Sequence, residues 1–186
     1  MRKVLLLLLL VIAMFLSTMA AAQQKPEQER AAGPEFTTTA TIKDIMASMV
    51  DPSADYLWES VATVVSPNGR QSRAPTTDKS WKELRRNTIV LLEATNLLMI
   101  PGRRVASPGD KSENPTIELS PEQIEILLSQ DRESWNKLVR GLYDATLVAL
   151  KAVDAKDAGG VLDAGARIDS ACESCHVKYW YPKPAR

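Results

Sequence analysis

The sequence predicts an all-α protein, an antiparallel four-helix bundle. Three observations lead there. Four segments between about residues 40 and 181 repeat apolar residues at spacings near 3.6. The stretches between them carry Pro, Gly, Ser and charge, and no run shows strand-like alternation or internal repetition. The length, 186 residues, suits one domain with short appendages. Four amphipathic helices with one apolar stripe each bury those stripes most simply against one another.

Segment one carries Ile42, Ile45, Met46, Met49, Leu57, Val61 and Val64. Asp51-Pro52 interrupts it. Proline lacks a backbone donor and crowds the preceding turn, so a kink is expected there, or a break with Asp51 capping a second piece. Ser66-Pro67-Asn68-Gly69 ends the segment in a polar loop running to about Asp78. Segment two starts near Ser80, with Glu83 as its capping-box partner. Its stripe is Trp81, Leu84, Thr88, Leu91, Leu92, Thr95, Leu98 and Met99, and Pro101-Gly102 stops it.

Segment three has the clearest start. Ser120 is a good N-cap, Pro121 fits the first helical position and Gln123 completes the box. Ile124, Leu127, Leu128, Trp135, Leu138, Leu142, Ala145 and Ala149 continue one face to roughly Val153, as a single long helix. Segment four runs from about Asp157 through Val161, Gly165, Ile168, Cys172, Cys175 and Tyr179, alternating steps of four and three as a bundle seam does. Pro182 and Pro184 close it.

Ahead of the bundle, Arg2 and Lys3 precede thirteen apolar residues, Val4 to Leu16, and a small-residue end at Ala20-Ala21-Ala22. That is the build of a secretory signal peptide, residues 1–22, cleaved after Ala22. Thirteen is short of the roughly 20 residues that span a bilayer, so membrane attachment is expected only if the segment stays uncleaved. Residues 23–39 read as a flexible polar lead-in, and 40–186 as the bundle. The whole chain balances 23 basic against 23 acidic residues; losing Arg2 and Lys3 leaves the exported chain at −2. There is no basic stripe to suit nucleic acid.

The two cysteines and the single histidine fall within five residues, Cys172-Glu173-Ser174-Cys175-His176. One histidine leaves a Ser-His-Asp hydrolase, a two-His zinc site and a two-His-one-carboxylate iron site without their parts. A thioredoxin-like redox pair wants a βαβ setting, an i,i+3 disulfide within a helix is strained, and zinc would find only three ligands. C-x-x-C-H reads instead as a c-type haem attachment site. The two thiols add to the haem vinyl groups, and His176 binds iron as the proximal ligand. Spacings of three and four put all three residues on one helix face, the face of the apolar seam. Haem c, one per chain, would then sit in the bundle core near the C-terminal helix. The helices contain no Phe, a weak hint of a planar cofactor inside, although four Trp supply similar bulk.

A C-terminal C-x-x-C-H on the last of four helices, followed by an aromatic at Tyr179, resembles the class II cytochromes c, the cytochrome c prime group. The resemblance covers most of residues 40–181. Two positions depart from the group's usual pattern: Trp180 stands where a basic residue commonly follows the aromatic, and Lys43 is the nearest helix-one candidate for the usual Arg toward a haem propionate. The resemblance implies that a helix-one side chain faces the iron. An aliphatic residue there leaves a five-coordinate haem that binds small gases; methionine makes a six-coordinate, low-spin electron carrier. Helix one offers Met46 and Met49, with Met46 favoured as the mid-stripe residue and Met99 a distant third. Both are otherwise ordinary core methionines. Arg103 or Arg104 could reach a propionate from the loop, and Tyr179 the porphyrin edge.

The sequence is therefore read as a periplasmic monohaem c-type cytochrome, a one-electron carrier and not an enzyme. The alternative is a five-coordinate haemoprotein binding nitric oxide or carbon monoxide. Peroxide chemistry would want a distal acid–base pair, for which no second histidine exists. Expected partners are periplasmic redox proteins; helix pairs in such bundles often dimerise, so a homodimer is a further expectation.

Overall fold

The computed structural model describes residues 36–67 and 69–182. The expected signal peptide and residues 23–35 of the lead-in lie outside the described residues. Thr41 opens the first helix as N-cap: its hydroxyl accepts from Asp44 N at 3.1 Å, while the Asp44 carboxylate accepts from Thr41 N at 2.9 Å. The helix begins as α1 (Ile42–Ile45), widens into a π-helical turn (Met46–Val50) and continues as α2 (Asp51–Ser60). The expected break at Asp51-Pro52 does not occur, and Asp51 is no N-cap. Its backbone stays helical and its N–H reaches back to Met46 O, five residues earlier. Proline at position 52 crowds the carbonyl of residue 48; widening the turn lets the helix pass.

A second difference follows at once. The first segment does not stay helical to Val64. β1 (Ala62–Ser66) and β2 (Gly69–Arg73) form an antiparallel hairpin, pairing Ala62 with Arg73 and Ser66 with Gly69. Thr63, Val64 and Val65 are β-branched, and Asn68-Gly69 is a strong hairpin signal. The expectation of no strand was wrong here, because Val61 and Val64 also continue the 3.6-residue spacing.

α3 (Asp78–Leu98) starts two residues earlier than Ser80, capped by Thr77, with Ser80 as the reciprocal partner of the box at 3.1 Å in each direction. The expected long third helix is two. α4 (Pro121–Gln130) has the Ser120–Gln123 box as predicted, but the chain turns at Asp131 and restarts as α5 (Arg132–Asp154). Asp131 leaves the helical region (φ −140°, ψ 64°) and accepts from Ser134 N at 3.0 Å. α6 (Ala158–Tyr179) begins from Asp157, which caps Gly160 N at 3.0 Å.

The composite first helix, α3, α5 and α6 each pack on the next, and α6 returns to α2, which closes a four-helix bundle. Its directions alternate. Ile42 N donates to Arg104 O just beyond the end of α3. Arg85 at the start of α3 pairs with Asp154 at the end of α5 at 2.6 Å, and Trp135 Nε1 donates to Leu98 O at the opposite end, 3.0 Å. Lys178 meets Asp131 at 3.1 Å, and Trp58 Nε1 donates to Gly165 O at 3.1 Å. Gly165 permits that last approach: a Cβ there would lie 3.1 Å from Trp58 Cδ1.

The core is Leu57, Leu84, Leu91, Leu98, Val161 and Ile168, each fully buried. Such burial contributes ~1.5–3 kcal/mol per large aliphatic side chain. The buried hydroxyls of Thr88, Thr95 and Thr146 return to the carbonyls of Leu84, Leu92 and Leu142, so none is unmatched among them.

Asp131 gives a pH prediction. Hydrogen bonds from Ser134 and Lys178 hold its carboxyl down at about 2, below the ~3.9 of a free Asp. A depressed folded-state value stabilises the protein above the unfolded value and loses that contribution as pH falls through the folded one. The stability advantage of the native chain over Asp131→Ala is therefore full at pH 7, shrinks below about pH 4 and is gone near pH 2. Thermal melts across that range read it; a constant difference would refute the assignment.

Candidate cofactor site

Cys172, Cys175 and His176 occupy the last turns of α6, one face, each half-buried. One turn on, Tyr179 is 3% exposed, with its ring edge-on to Trp135 at 5.4 Å. Opposite lies the start of the first helix. Between them is a cleft of about 250 Å³, lined by Ile42, Met46, Val105, Trp135, His176 and Tyr179 among others. A smaller cavity of about 30 Å³ adjoins it, bounded by Val50, Leu98, Leu142 and Cys172. Met46, Asp51, Cys175 and His176 line both.

The π turn explains the helix-one wall. Its five-residue return stacks Asp51 directly on Met46, so both face His176 and its cysteines. An ordinary α-turn would bring residue 50 over Met46 instead. The outer wall is the loop between α3 and α4. Its backbone clips onto the first helix through Ile42 N to Arg104 O and Lys43 N to Val105 O, both 2.9 Å, and onto the end of α6 through Leu119 N to Trp180 O at 2.8 Å. Within it, Val105 and Ala106 are buried.

The predicted residues divide clearly. Met46, Cys175, His176 and Tyr179 meet at the larger cleft, and Cys172 at the smaller. Met49 and Met99 pack against the core and line neither. Lys43 stands at the cleft, 3.9 Å from Asp110. Arg103 does not reach it. Its guanidinium donates to Leu97 O at 2.9 Å and to Ala40 O, tying the end of α3 to the chain entering the first helix. Arg104 pairs with Glu125 at 2.9 Å. Asp51, Lys111 and the loop residues Val105 and Leu119 were not anticipated. For Asp51 the only sequence signal is Pro52, since a five-residue spacing does not stack in an α-helix.

The electrostatics are those of a partly dehydrated site. Burial pushes the Cys172 thiol up to about 11, with Asp169 and Asp51 adding to it, and the Cys175 thiol up to about 12. Burial lowers the His176 pKa, opposed by Asp51 and Glu173. Asp51 is raised by desolvation and by Asp55, and lowered by His176. Thiols raised in this way do not suit a thiolate redox pair, whose reactive cysteine has a lowered pKa.

The donor set fits haem c. Both cysteines are free thiols on the face of the imidazole. The wall beside them is largely apolar, and the Tyr179 hydroxyl at that wall is buried without a well-formed hydrogen bond among the described residues. Also among the described residues, no group of three or more His, Cys, Asp and Glu is assembled to hold a bare metal ion. No helix there is long and apolar enough to cross a membrane.

No family model and no curated protein matches the chain. Solved structures of one group do, and the group is the one that the C-terminal motif resembles. A cytochrome c prime is 21% identical, with 78% of this chain covering 99% of that one at a TM-score of 0.48. A nitric oxide complex of a variant cytochrome c prime from Alcaligenes xylosoxidans is 20% identical over 79% and 99%, TM-score 0.47. Cytochrome c prime from Thermochromatium tepidum is 20% identical over 76% and 89%, TM-score 0.42. Similarity at this level assigns no activity.

Proposed function

We propose that the chain is an exported monohaem c-type cytochrome that carries single electrons between periplasmic redox proteins. The observation that carries the reading is the single face of Cys172, Cys175 and His176 opposite Met46, all bordering the same paired cavities. Bound there, haem supplies a one-electron ferric/ferrous couple. The chain's own residues do the rest. Cys172 and Cys175 would anchor the group, and His176 and the Met46 thioether would hold its iron, the thioether being a soft ligand that favours the reduced state. Tyr179 and Trp135 pack at the buried end, and Lys43 and Lys111 stand at the cleft as cations for carboxylates. No catalytic acid–base pair is needed.

A second reading has an observation of its own: Ile42 and Ala47 also line the cleft. With Met46 turned aside, that wall is aliphatic and the iron five-coordinate, open to nitric oxide or carbon monoxide.

Absorption spectra separate the two. The ferrous protein is expected to be low-spin and indifferent to carbon monoxide. Met46→Ala is expected to turn it high-spin and responsive, with the covalent haem content unchanged. A high-spin, gas-responsive native protein would refute the Met46 ligand and establish the second reading.

A further inference from the structure

A metal-bound histidine usually donates its second ring N–H to a carboxylate, a carbonyl or water, and that bond fixes the ring plane and raises ligand basicity. Among the described residues His176 makes no side-chain hydrogen bond. Two carboxylates act on it electrostatically, Asp51 across the cleft and Glu173 on its own helix; no hydrogen bond joins Asp51 to the imidazole, and the Glu173 carboxylate accepts from the Tyr181 hydroxyl at 2.6 Å. Two rings stand edge-on to the imidazole instead. The Trp180 centroid is 5.0 Å away at 88°, and the Tyr181 centroid 5.9 Å away at 60°.

Neither ring depends on the imidazole itself for its own place. Trp180 and Tyr181 both donate their backbone N–H to His176 O, at 2.8 and 3.0 Å, which winds the chain back over the histidine at the end of α6. Leu119 N then holds Trp180 O at 2.8 Å, tying this turn to the loop that walls the cleft. The Tyr181 hydroxyl is fixed across the helix by Glu173, and the two rings brace each other at 5.2 Å. Trp180 is 39% exposed, so the ring that contacts the imidazole is also open to water.

We infer that Trp180 and Tyr181 form an aromatic clamp that sets the plane of the His176 ring and keeps a hydrogen-bond acceptor from its free nitrogen. They are positioning residues for the proximal ligand. The inference rests on the haem-binding reading but on neither choice of distal ligand. Its consequence is a less basic imidazole, which donates less to ferric iron and keeps the reduction potential high. Tyr181 contributes twice: its ring packs on the imidazole, and its hydroxyl occupies the Glu173 carboxylate one turn back on the same helix.

The test is the reduction potential of the intact haem-loaded protein, with the ferric electron paramagnetic resonance signal, in whichever spin state the native protein shows, as a reading of ring orientation. Trp180→Ala admits water to the imidazole and is expected to shift the potential down and broaden the signal. Trp180→Phe keeps a ring edge and is expected to restore both. Tyr181→Phe keeps the ring and frees Glu173, and is expected to lower the potential without broadening. Near-native potential and line width in both Trp180→Ala and Tyr181→Phe, with haem retained, would overturn the clamp. If Trp180→Ala does not fold, Tyr181→Phe alone decides, since it removes only a solvent-side hydroxyl. Failure of the haem reading looks different: the native protein would then carry no covalent haem.

Discussion

Replacing Cys172 and Cys175 together with serine is expected to turn a haem that survives acidic acetone into one that is fully extracted. Each thiol supplies one thioether, so the single variants keep one attachment and the double variant keeps none. The loss comes with little damage to the fold. Both cysteines are half-buried rather than in the closed core, and serine is close in size. His176 still offers its imidazole, so a weaker, exchangeable complex remains. Far-ultraviolet circular dichroism beside the extraction separates lost attachment from lost folding. A native protein whose pigment is extracted as readily as the variant's would defeat the covalent-haem reading.

Trp135→Ala carries the largest expected cost in stability, ~3–5 kcal/mol for a buried aromatic truncated in the core, or on the order of 10 °C in Tm for a domain of this size. Trp135 is 2% exposed, its indole N–H ties the start of α5 to Leu98 O at 3.0 Å, and its ring supports Tyr179. Removing it leaves a cavity at the wall of the cleft and unpins the end of α3. Trp135→Phe keeps most of the apolar contact and is expected to cost little more than the lost hydrogen bond, ~1 kcal/mol. Urea unfolding read by circular dichroism measures both. A cost below about 1 kcal/mol for the alanine variant, the level of an ordinary substitution, would mean that the contact is dispensable.

The helical stripes and the shared face of Cys172, Cys175 and His176 were legible because both rest on short-range spacing. Ser120-Pro121-x-Gln123 is a local signal and appears as a local structure. The errors arose where one spacing serves two structures or where a cap hides inside a stripe. Val61 and Val64 fit a helix as well as they fit β1, and only the β-branched run before Asn68-Gly69 tips the balance. Asp131 looked like one more polar position between Leu128 and Trp135, although Asp with Ser three residues on can restart a helix. Met46 was reachable from its stripe. Asp51 was not, because its place at the cleft depends on a turn that widens only through the folded chain's answer to Pro52. Arg103 failed for the opposite reason: as a loop cation it suggested an anion, whereas its partners are carbonyls at the end of α3 and before Thr41, which no sequence pattern announces.

The widened turn at Met46–Val50 has one more consequence. Residues of a regular helix advance about 100° each around its axis, so the face that packs at one end dictates the face at the other. One surplus residue breaks that bond of phase. Ile42 and Met46 can be turned toward the cleft while Ala54 and Leu57 are turned independently toward the interior beside α6. The first helix behaves as two separately aimed pieces on one axis, and substitutions that reshape the cleft end need not disturb the packing end.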